Sequence, residues 1–424
     1  MMKFRSFLRE YRYLVWVLIA SFCTRAMLLI NGGETLFNSG SDAPSYAEAS
    51  LDISTKGIFS NNIRSIPHYP IGYSAVLAFF RLLSQNNWWI FVVITQHIFY
   101  LLVCSYVFYI AKNIYGDVVA RVYILILAFS PTLIYAASES MYETLTASLL
   151  LIGCFSIIHH FSRRKTDSSN LGLWISSLAF SGATFLQPKM ALIPILITVM
   201  IIVRFRLQLT YILFALLSQL GTVIVVLRSW IADRIYSPSL NFAKAIQVGG
   251  LNIECTNVND ATLTGVQNAA ITDQRYVQCA IEYFVQHPIE FIRHVLKQIF
   301  ATLGPMNGGN APGSSTWFHG LDLTRILNEF GVPINSYVWN FQRIIALVFV
   351  IVFICGLYLL NQSKDKFYSL VLITPIIALL SVHAVSDGDA RYRIPFLPFM
   401  HFFFAISLSR VFQKIEERRM KPPI

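Results

Sequence analysis

Charge is what this sequence has least of. Only 13% of its 424 residues are Asp, Glu, Lys or Arg, against about 25% in soluble domains, while 55% are hydrophobic. So few charges cannot cover a water-exposed surface, which excludes an ordinary soluble domain and points to an integral membrane protein. Cysteine is scarce as well, at six residues. Four of them (Cys23, Cys104, Cys154, Cys355) fall in apolar runs, where a thiol is a small packing group. Only Cys255 and Cys279 remain as a pair that an oxidising compartment could join. No internal repeat is apparent, which argues against solenoids and the inverted halves of many transporters.

What is present is a series of long apolar runs. Ten of them, 13–30, 88–111, 119–137, 141–160, 171–187, 189–204, 209–231, 337–360, 367–385 and 394–412, are near the ~17–25 residues needed to cross a bilayer. Two further stretches, 70–84 and 288–304, hold internal charge (Arg81; Arg293 and Lys297) and read as amphipathic helices at the interface. The expected fold is therefore an all-α polytopic membrane protein of about ten transmembrane helices, with interfacial helices on the outer face and both termini cytoplasmic. The first run follows a basic tail, is long and lacks a small-residue cleavage site, so it is expected to stay as the first helix.

The net charge of +11 is mostly a topology signal. Lys3, Arg5, Arg9, Arg12, Lys112, Arg121, Arg163, Arg164, Lys165, Arg204, Arg206, Lys364, Lys366, Lys414, Arg418, Arg419 and Lys421 all fall in short segments on one side. That is the positive-inside pattern; counting 70–84 as a span would put Arg163-Arg164-Lys165 outside. Nucleic acid is excluded as the partner of this charge, and the bilayer takes its place. The inside connections are too short for a folded domain. Two exported segments, 31–87 and 232–336, are left to build a site with the outer helix ends. Three regions follow: a catalytic membrane module, 1–231; an acceptor-side region, 232–336; and C-terminal helices with a phosphate motif, 337–424.

Polar residues gather on the outer half: Arg25, Asp42, His68, Glu139, Glu143, Lys189, Arg228, Asp387, Asp389, Arg391 and Arg393. Ionisable groups at membrane depth are expensive and tend to be functional. Carboxylates activate hydroxyls, and arginine offers a bidentate fork to phosphate oxygens. Each residue also has a plainer role. Asp42, ahead of Ala43-Pro44, fits a helix N-cap. Glu139 and Glu143, four apart, fit solvated acids at a helix start. His68 fits a loop residue bonded to backbone, Arg391-Tyr392-Arg393 an interfacial anchor, and Lys189 and Arg228 snorkelling side chains. Arg25, deep in the first run, needs a partner, for which Asp42 is a candidate.

The order of these residues resembles a known family. An Arg late in helix one is followed by an Asp in the first outer loop and by H68-Y-P-I-G-Y73. Ser130-Pro131 with S138-E-S-M-Y142, Q187-P-K-M-A-L192, L227-R-S-W230, Gln286-His287-Pro288 and R391-Y-R-I-P-F-L397 complete the series. It is similar to the GT-C superfamily of polytopic glycosyltransferases, including protein O-mannosyltransferases and the lipid A aminoarabinose transferase. The resemblance spans most of the chain and is weakest in 232–336. It implies Asp42 as catalytic base and a cavity lined by Glu139, Glu143, His68, Tyr69 and Arg25. It further implies donor-phosphate binding by Arg391, Arg393, Lys189 and Arg228. Relatives often have Arg or Lys directly before the proline, where this chain has Gln187-Pro188 and then Lys189. The implied donor is a sugar on a polyprenyl phosphate, and the acceptor an envelope glycan, lipid or protein. Attack of an acceptor hydroxyl on the anomeric carbon would invert it. Some relatives use a divalent cation, toward which His68 and Glu139 are candidate ligands. The implied location is a bacterial cytoplasmic membrane with an extracytoplasmic site. Two alternatives stay open: an O-antigen polymerase or ligase, which would depend on arginines of the large loop, and a lipid-linked glycan transporter.

Overall fold

In a lipid interior every backbone N–H and C=O must be paired within the protein, and a helix does this within one segment. The computed structural model describes residues 11–39, 42–61, 63–65, 69–163, 169–233, 278–303, 351–360, 366–385 and 390–420, and among these every regular element is a helix. In chain order they are α1 (Arg12–Phe37), α2 (Ala43–Lys56), α3 (Ile71–Leu83), α4 (Trp88–Tyr115), α5 (Asp117–Ala128), α6 (Pro131–Ala136), α7 (Glu143–Arg163) and α8 (Leu171–Leu186). A 3₁₀ turn, Pro188–Ala191, leads into α9 (Leu192–Phe205), followed by α10 (Leu209–Ser218) and α11 (Leu220–Asp233). Then come α12 (Pro288–Leu303), α13 (Ile351–Leu360), α14 (Lys366–Val385), the 3₁₀ turn Ala390–Arg393 and α15 (Leu397–Met420).

Five of these stretches are long and apolar enough to cross a membrane: Arg12–Phe37, Trp88–Tyr115, Glu143–Arg163, Pro188–Phe205 and Lys366–Ala384. The pair α10 and α11, bent by 45° at Gln219, makes a sixth. The chain is an integral membrane protein, and these six coincide with six of the ten expected runs. The expected 171–187 forms the shorter α8. The expected 119–137 is divided at Phe129-Ser130 into α5 and α6, where Pro131 removes a donor and opens the ladder. Of the expected 337–360 only 351–360 is described, and of the expected 394–412 all but the first three residues fall within α15. Both stretches expected to be amphipathic are helices, α3 and α12.

The core is aromatic and gathers around α7, whose side chains are mostly buried. Tyr123 of α5, Phe155 of α7 and Phe402 of α15 meet with ring centroids 5.0 to 6.2 Å apart. Phe161 stacks on Phe205 at 4.3 Å and meets Phe367 edge-on, which joins α7, α9 and α14. Each such pair contributes about 0.5–1.5 kcal/mol beyond area burial. A second cluster, Phe37, Tyr46, Tyr73, Trp88, Met141 and Tyr142, sits where the α1 exit, α2, α3 and the start of α4 and α7 come together.

Two glycines set close crossings at the end of α8. A methyl at Gly72 of α3 would stand 1.9 Å from the Phe185 carbonyl oxygen, and one at Gly221 of α11 would stand 2.0 Å from the Ser181 carbonyl oxygen. Only a residue without Cβ permits these approaches. They bring α3 and α11 onto the turn that presents Pro188 and Lys189. The α2–α3 loop is tied down as well. Arg228 of α11 donates to the carbonyls of Ile58 (3.0 Å) and Ser60 (2.8 Å) and pairs with Asp233. Asp52 accepts from the Arg64 backbone and guanidinium and from Lys56.

Candidate active site

Asp42 stands at the N-cap position of α2 yet makes no side-chain capping bond. Its Oδ1 accepts a hydrogen bond from the Tyr69 hydroxyl at 3.1 Å, so the acid faces H68-Y-P-I-G-Y73 rather than its own helix. One turn into α2, Tyr46 is buried and meets the rings of Tyr69 (5.4 Å), Tyr73 (5.3 Å) and Tyr142 (6.2 Å) edge-on. The spacing Asp42–Tyr46 is i, i+4, so one helical face carries the acid and the ring that fixes its surroundings.

The second acidic group is bonded to the segment that precedes the first. Beyond Gly33, whose backbone at φ 53° kinks α1, the chain runs to Phe37 and Ser39. The Ser39 hydroxyl shares its hydrogen between the Leu36 carbonyl (2.7 Å) and Glu139 Oε1 (3.1 Å), and the Ser140 N–H donates to the Phe37 carbonyl at 2.8 Å. The residue that meets Glu139, Ser39, thus lies three positions before Asp42 in the chain. Glu143 begins α7, but its side chain is only 1% exposed. The plainer role of a solvated helix-start acid is thus wrong for Glu143, and Glu139, 9% exposed, is nearly as enclosed.

Lys189 connects this acidic side to the basic motif. Its Nζ lies 4.6 Å from the Tyr392 ring centre and 5.8 Å from that of Tyr142. Tyr392 in turn stacks flat on His383 of α14 at 4.3 Å. Arg393 is fully buried and donates from Nη1 to the Thr302 carbonyl of α12 at 3.3 Å. α12 turns His294, Gln298 and Thr302 inward and leaves Ile289, Ile292 and Leu296 exposed together with the Glu290–Arg293 ion pair, a mixed outer side that suits an interfacial helix. Asp42, Glu139 with Tyr142, Lys189 and Tyr392, from four separate segments, thus form one continuous neighbourhood.

Not every expected residue joins it. The Arg228 guanidinium is engaged at all three nitrogens by Ile58, Ser60 and Asp233 and in this structure anchors a loop. Arg25 is buried inside the bundle, and its bonds run to His97 and Ser21, not to Asp42. Arg391 lies in the 3₁₀ turn beside Tyr392. His68, Cys255, Asp387 and Asp389 fall outside the described residues. Cys279 is disulfide-bonded. No group of three or more His, Cys, Asp or Glu able to hold a metal occurs among the described residues. Sequence reasoning missed Tyr46, Tyr142, Gln96 and His97. The last two are polar groups inside an otherwise apolar run, which is the signal that could have found them.

No protein-family model matches the chain, and neither does any curated protein sequence. Solved structures do share its fold. The archaeal oligosaccharyltransferase AglB from Archaeoglobus fulgidus, in complex with an inhibitory peptide and a dolichol-phosphate, superposes with a TM-score of 0.53. The identity is 14%, over 97% of this chain and 52% of that one. The Archaeoglobus fulgidus oligosaccharyltransferase tethered to an acceptor peptide containing the NVT sequon gives 0.54 at 12% identity, over 98% and 51%. The chain thus spans about half the length of these archaeal structures. ArnT from Cupriavidus metallidurans in the apo state is looser, at 0.36 and 13% identity over 91% and 77%, and nothing below rests on it. At these identities the likeness is one of fold.

Proposed function

From a chain with the GT-C fold, we propose a membrane glycosyltransferase that moves a sugar from a polyprenyl-phosphate-linked donor to an envelope acceptor. The observation that carries this reading is the bonding of the Asp42 and Glu139 segments to each other beside Lys189 and Tyr392. Acid and cation then flank one space, as a sugar phosphate requires. The positive-inside pattern supports an extracytoplasmic site and a bacterial cytoplasmic membrane.

In this mechanism the lipid tail lies between helices and the phosphate rests at the interface. Asp42 takes the proton of the acceptor hydroxyl, which attacks the anomeric carbon as the polyprenyl phosphate leaves, inverting that centre. Tyr69 holds the carboxylate, and its hydrogen bond keeps Asp42 oriented. Lys189, with Arg391 from the adjoining turn, stabilises the charge developing on the leaving phosphate. Glu139 accepts a hydroxyl of the sugar or acceptor. The region 1–231 supplies the base, 337–424 the phosphate side and 232–336 the acceptor side.

Mass analysis of surface glycans from cells with and without the protein identifies the transferred unit. Purified protein is then assayed with polyprenyl-phosphate monosaccharides. Asp42→Asn should bind the donor yet transfer it about 10²–10⁴-fold more slowly. Near-normal transfer by this variant removes Asp42 from the role of base, and an unchanged glycan profile removes the transferase reading altogether.

A further inference from the structure

The first helix holds a buried arginine whose charge has to be met inside the bundle. Arg25 Nη1 donates to His97 Nδ1 at 2.9 Å, Arg25 Nε donates to Ser21 Oγ at 3.3 Å, and the guanidinium lies 4.6 Å above the Tyr100 ring. Ser21 Oγ donates in turn to the Ala128 carbonyl at 2.7 Å, and the Tyr100 hydroxyl donates to the Leu127 carbonyl at 2.9 Å. Those carbonyls are the end of α5, left open by the break before Pro131. A helix C-terminus carries partial negative charge, so the arginine sits where the fold provides it.

The far side of His97 reaches the candidate active site. Its Nε2 lies 3.1 Å from Ser138 Oγ, and Ser138 Oγ donates to the Ile134 carbonyl at 3.1 Å. The direction of this line is fixed by chemistry. An arginine only donates, so Nδ1 must hold the lone pair, and Nε2 must hold the hydrogen that Ser138 receives. The neighbouring Gln96 Nε2 reaches the carbonyls of Ala137 (3.3 Å) and Glu139 (3.4 Å). Two consecutive residues of α4 therefore hold three consecutive residues of a non-helical turn, and Ser21, Arg25, Gln96, His97 and Ser138 are all buried.

We propose that this buried line, from the open end of α5 through Arg25 and His97 to Ser138, is a positioning device for Glu139. Gln96 and His97 are then positioning residues for the transfer reaction. They touch neither donor nor acceptor; they fix the turn so that the Glu139 carboxylate meets Ser39. The inference rests on the placement of Glu139 in the substrate cavity proposed above. A displacement of about 1 Å in such a group costs up to ~10²-fold in rate, which makes the device visible in kinetics.

The test uses full-length protein in lipid, with the polyprenyl-phosphate monosaccharide that supports wild-type transfer. If none of the panel is used, glycan occupancy in complemented null cells replaces the rates. Ser138→Ala keeps the Arg25–His97 bond and removes only the link to the turn, so it decides the matter even if His97→Phe fails to fold. The expected result for Ser138→Ala is a fall in kcat of about tenfold or more, with donor KM and thermal unfolding near wild type. His97→Gln, which can still accept from Arg25 and donate to Ser138, should retain more activity than His97→Phe. Wild-type kcat in Ser138→Ala alongside an impaired Glu139→Gln overturns the device and leaves the site reading standing. A parallel loss of kcat, donor affinity and thermal stability overturns it as well, since that is mere structural damage. Wild-type behaviour of Glu139→Gln instead overturns the placement of Glu139 itself.

Discussion

Two aspartates at opposite ends of α2 show how the surroundings decide what a carboxylate does. Asp52, on the last turns, receives the Arg64 side chain, the Arg64 backbone N–H and Lys56. The Arg64 hydrogen bond above all holds its carboxyl well below the usual carboxylate range. A folded-state value below the unfolded one stabilises the fold above the unfolded carboxylate range near pH ~4. That contribution is lost as pH falls through the depressed value. Asp52→Asn should therefore lower the thermal midpoint at neutral pH and flatten its decline on acidification; equal acid sensitivity in the two proteins would remove the pair from the account. Asp42 accepts from a tyrosine hydroxyl, that of Tyr69. From sequence it fitted a cap, and its position bears that out, but its side chain is turned away from its own helix. Local patterning fixes where a residue starts a helix, whereas the partner, Tyr69, comes from another segment and could be placed only by tertiary structure.

At the scale of elements, the crossings at the end of α8 explain residues whose motif carried no physical reason in the sequence. Gly72 in H68-Y-P-I-G-Y73 permits α3 to lie on the Phe185 carbonyl. A methyl there must push α3 away from α8, at a cost of about 1–3 kcal/mol for overpacking. Gly72→Ala should accordingly lower thermal stability and loosen the neighbourhood of Tyr69 and Asp42. A variant as stable as wild type would show that the crossing yields easily. The helices themselves were largely legible, because runs of apolar residues at membrane length have few other solutions. The division of 119–137 at Ser130 was less so. Ser130-Pro131 was visible as a motif, but its result, the open carbonyls beneath Arg25, depends on a partner in α1. α12 was legible as amphipathic; that His294, Gln298 and Thr302 turn inward depended on the Arg393 turn it meets.

For the whole molecule, the positive-inside pattern makes a statement about sides that a helical bundle alone does not. Arg164→Cys should be shielded from an impermeant thiol reagent in intact cells and labelled after permeabilisation; labelling in intact cells would invert the arrangement and move the proposed site to the other face. The convergence of Asp42, Glu139 and Lys189 was anticipated from their order and shared side. Its geometry was not, since it depends on Phe37, Ser39 and Tyr142, residues with no distinguishing chemistry in the sequence. Arg25 has one more implication, for the order in which the protein is assembled. Chains are made N-terminus first, and α1 is complete when His97, 72 residues on, has yet to be synthesised. The Ala128 carbonyl that Ser21 needs lies 107 residues on. An unpartnered arginine at the centre of a span costs about 2.5–3.5 kcal/mol on insertion scales. α1 therefore gains its final depth only when α4 and α5 arrive to receive its buried charge.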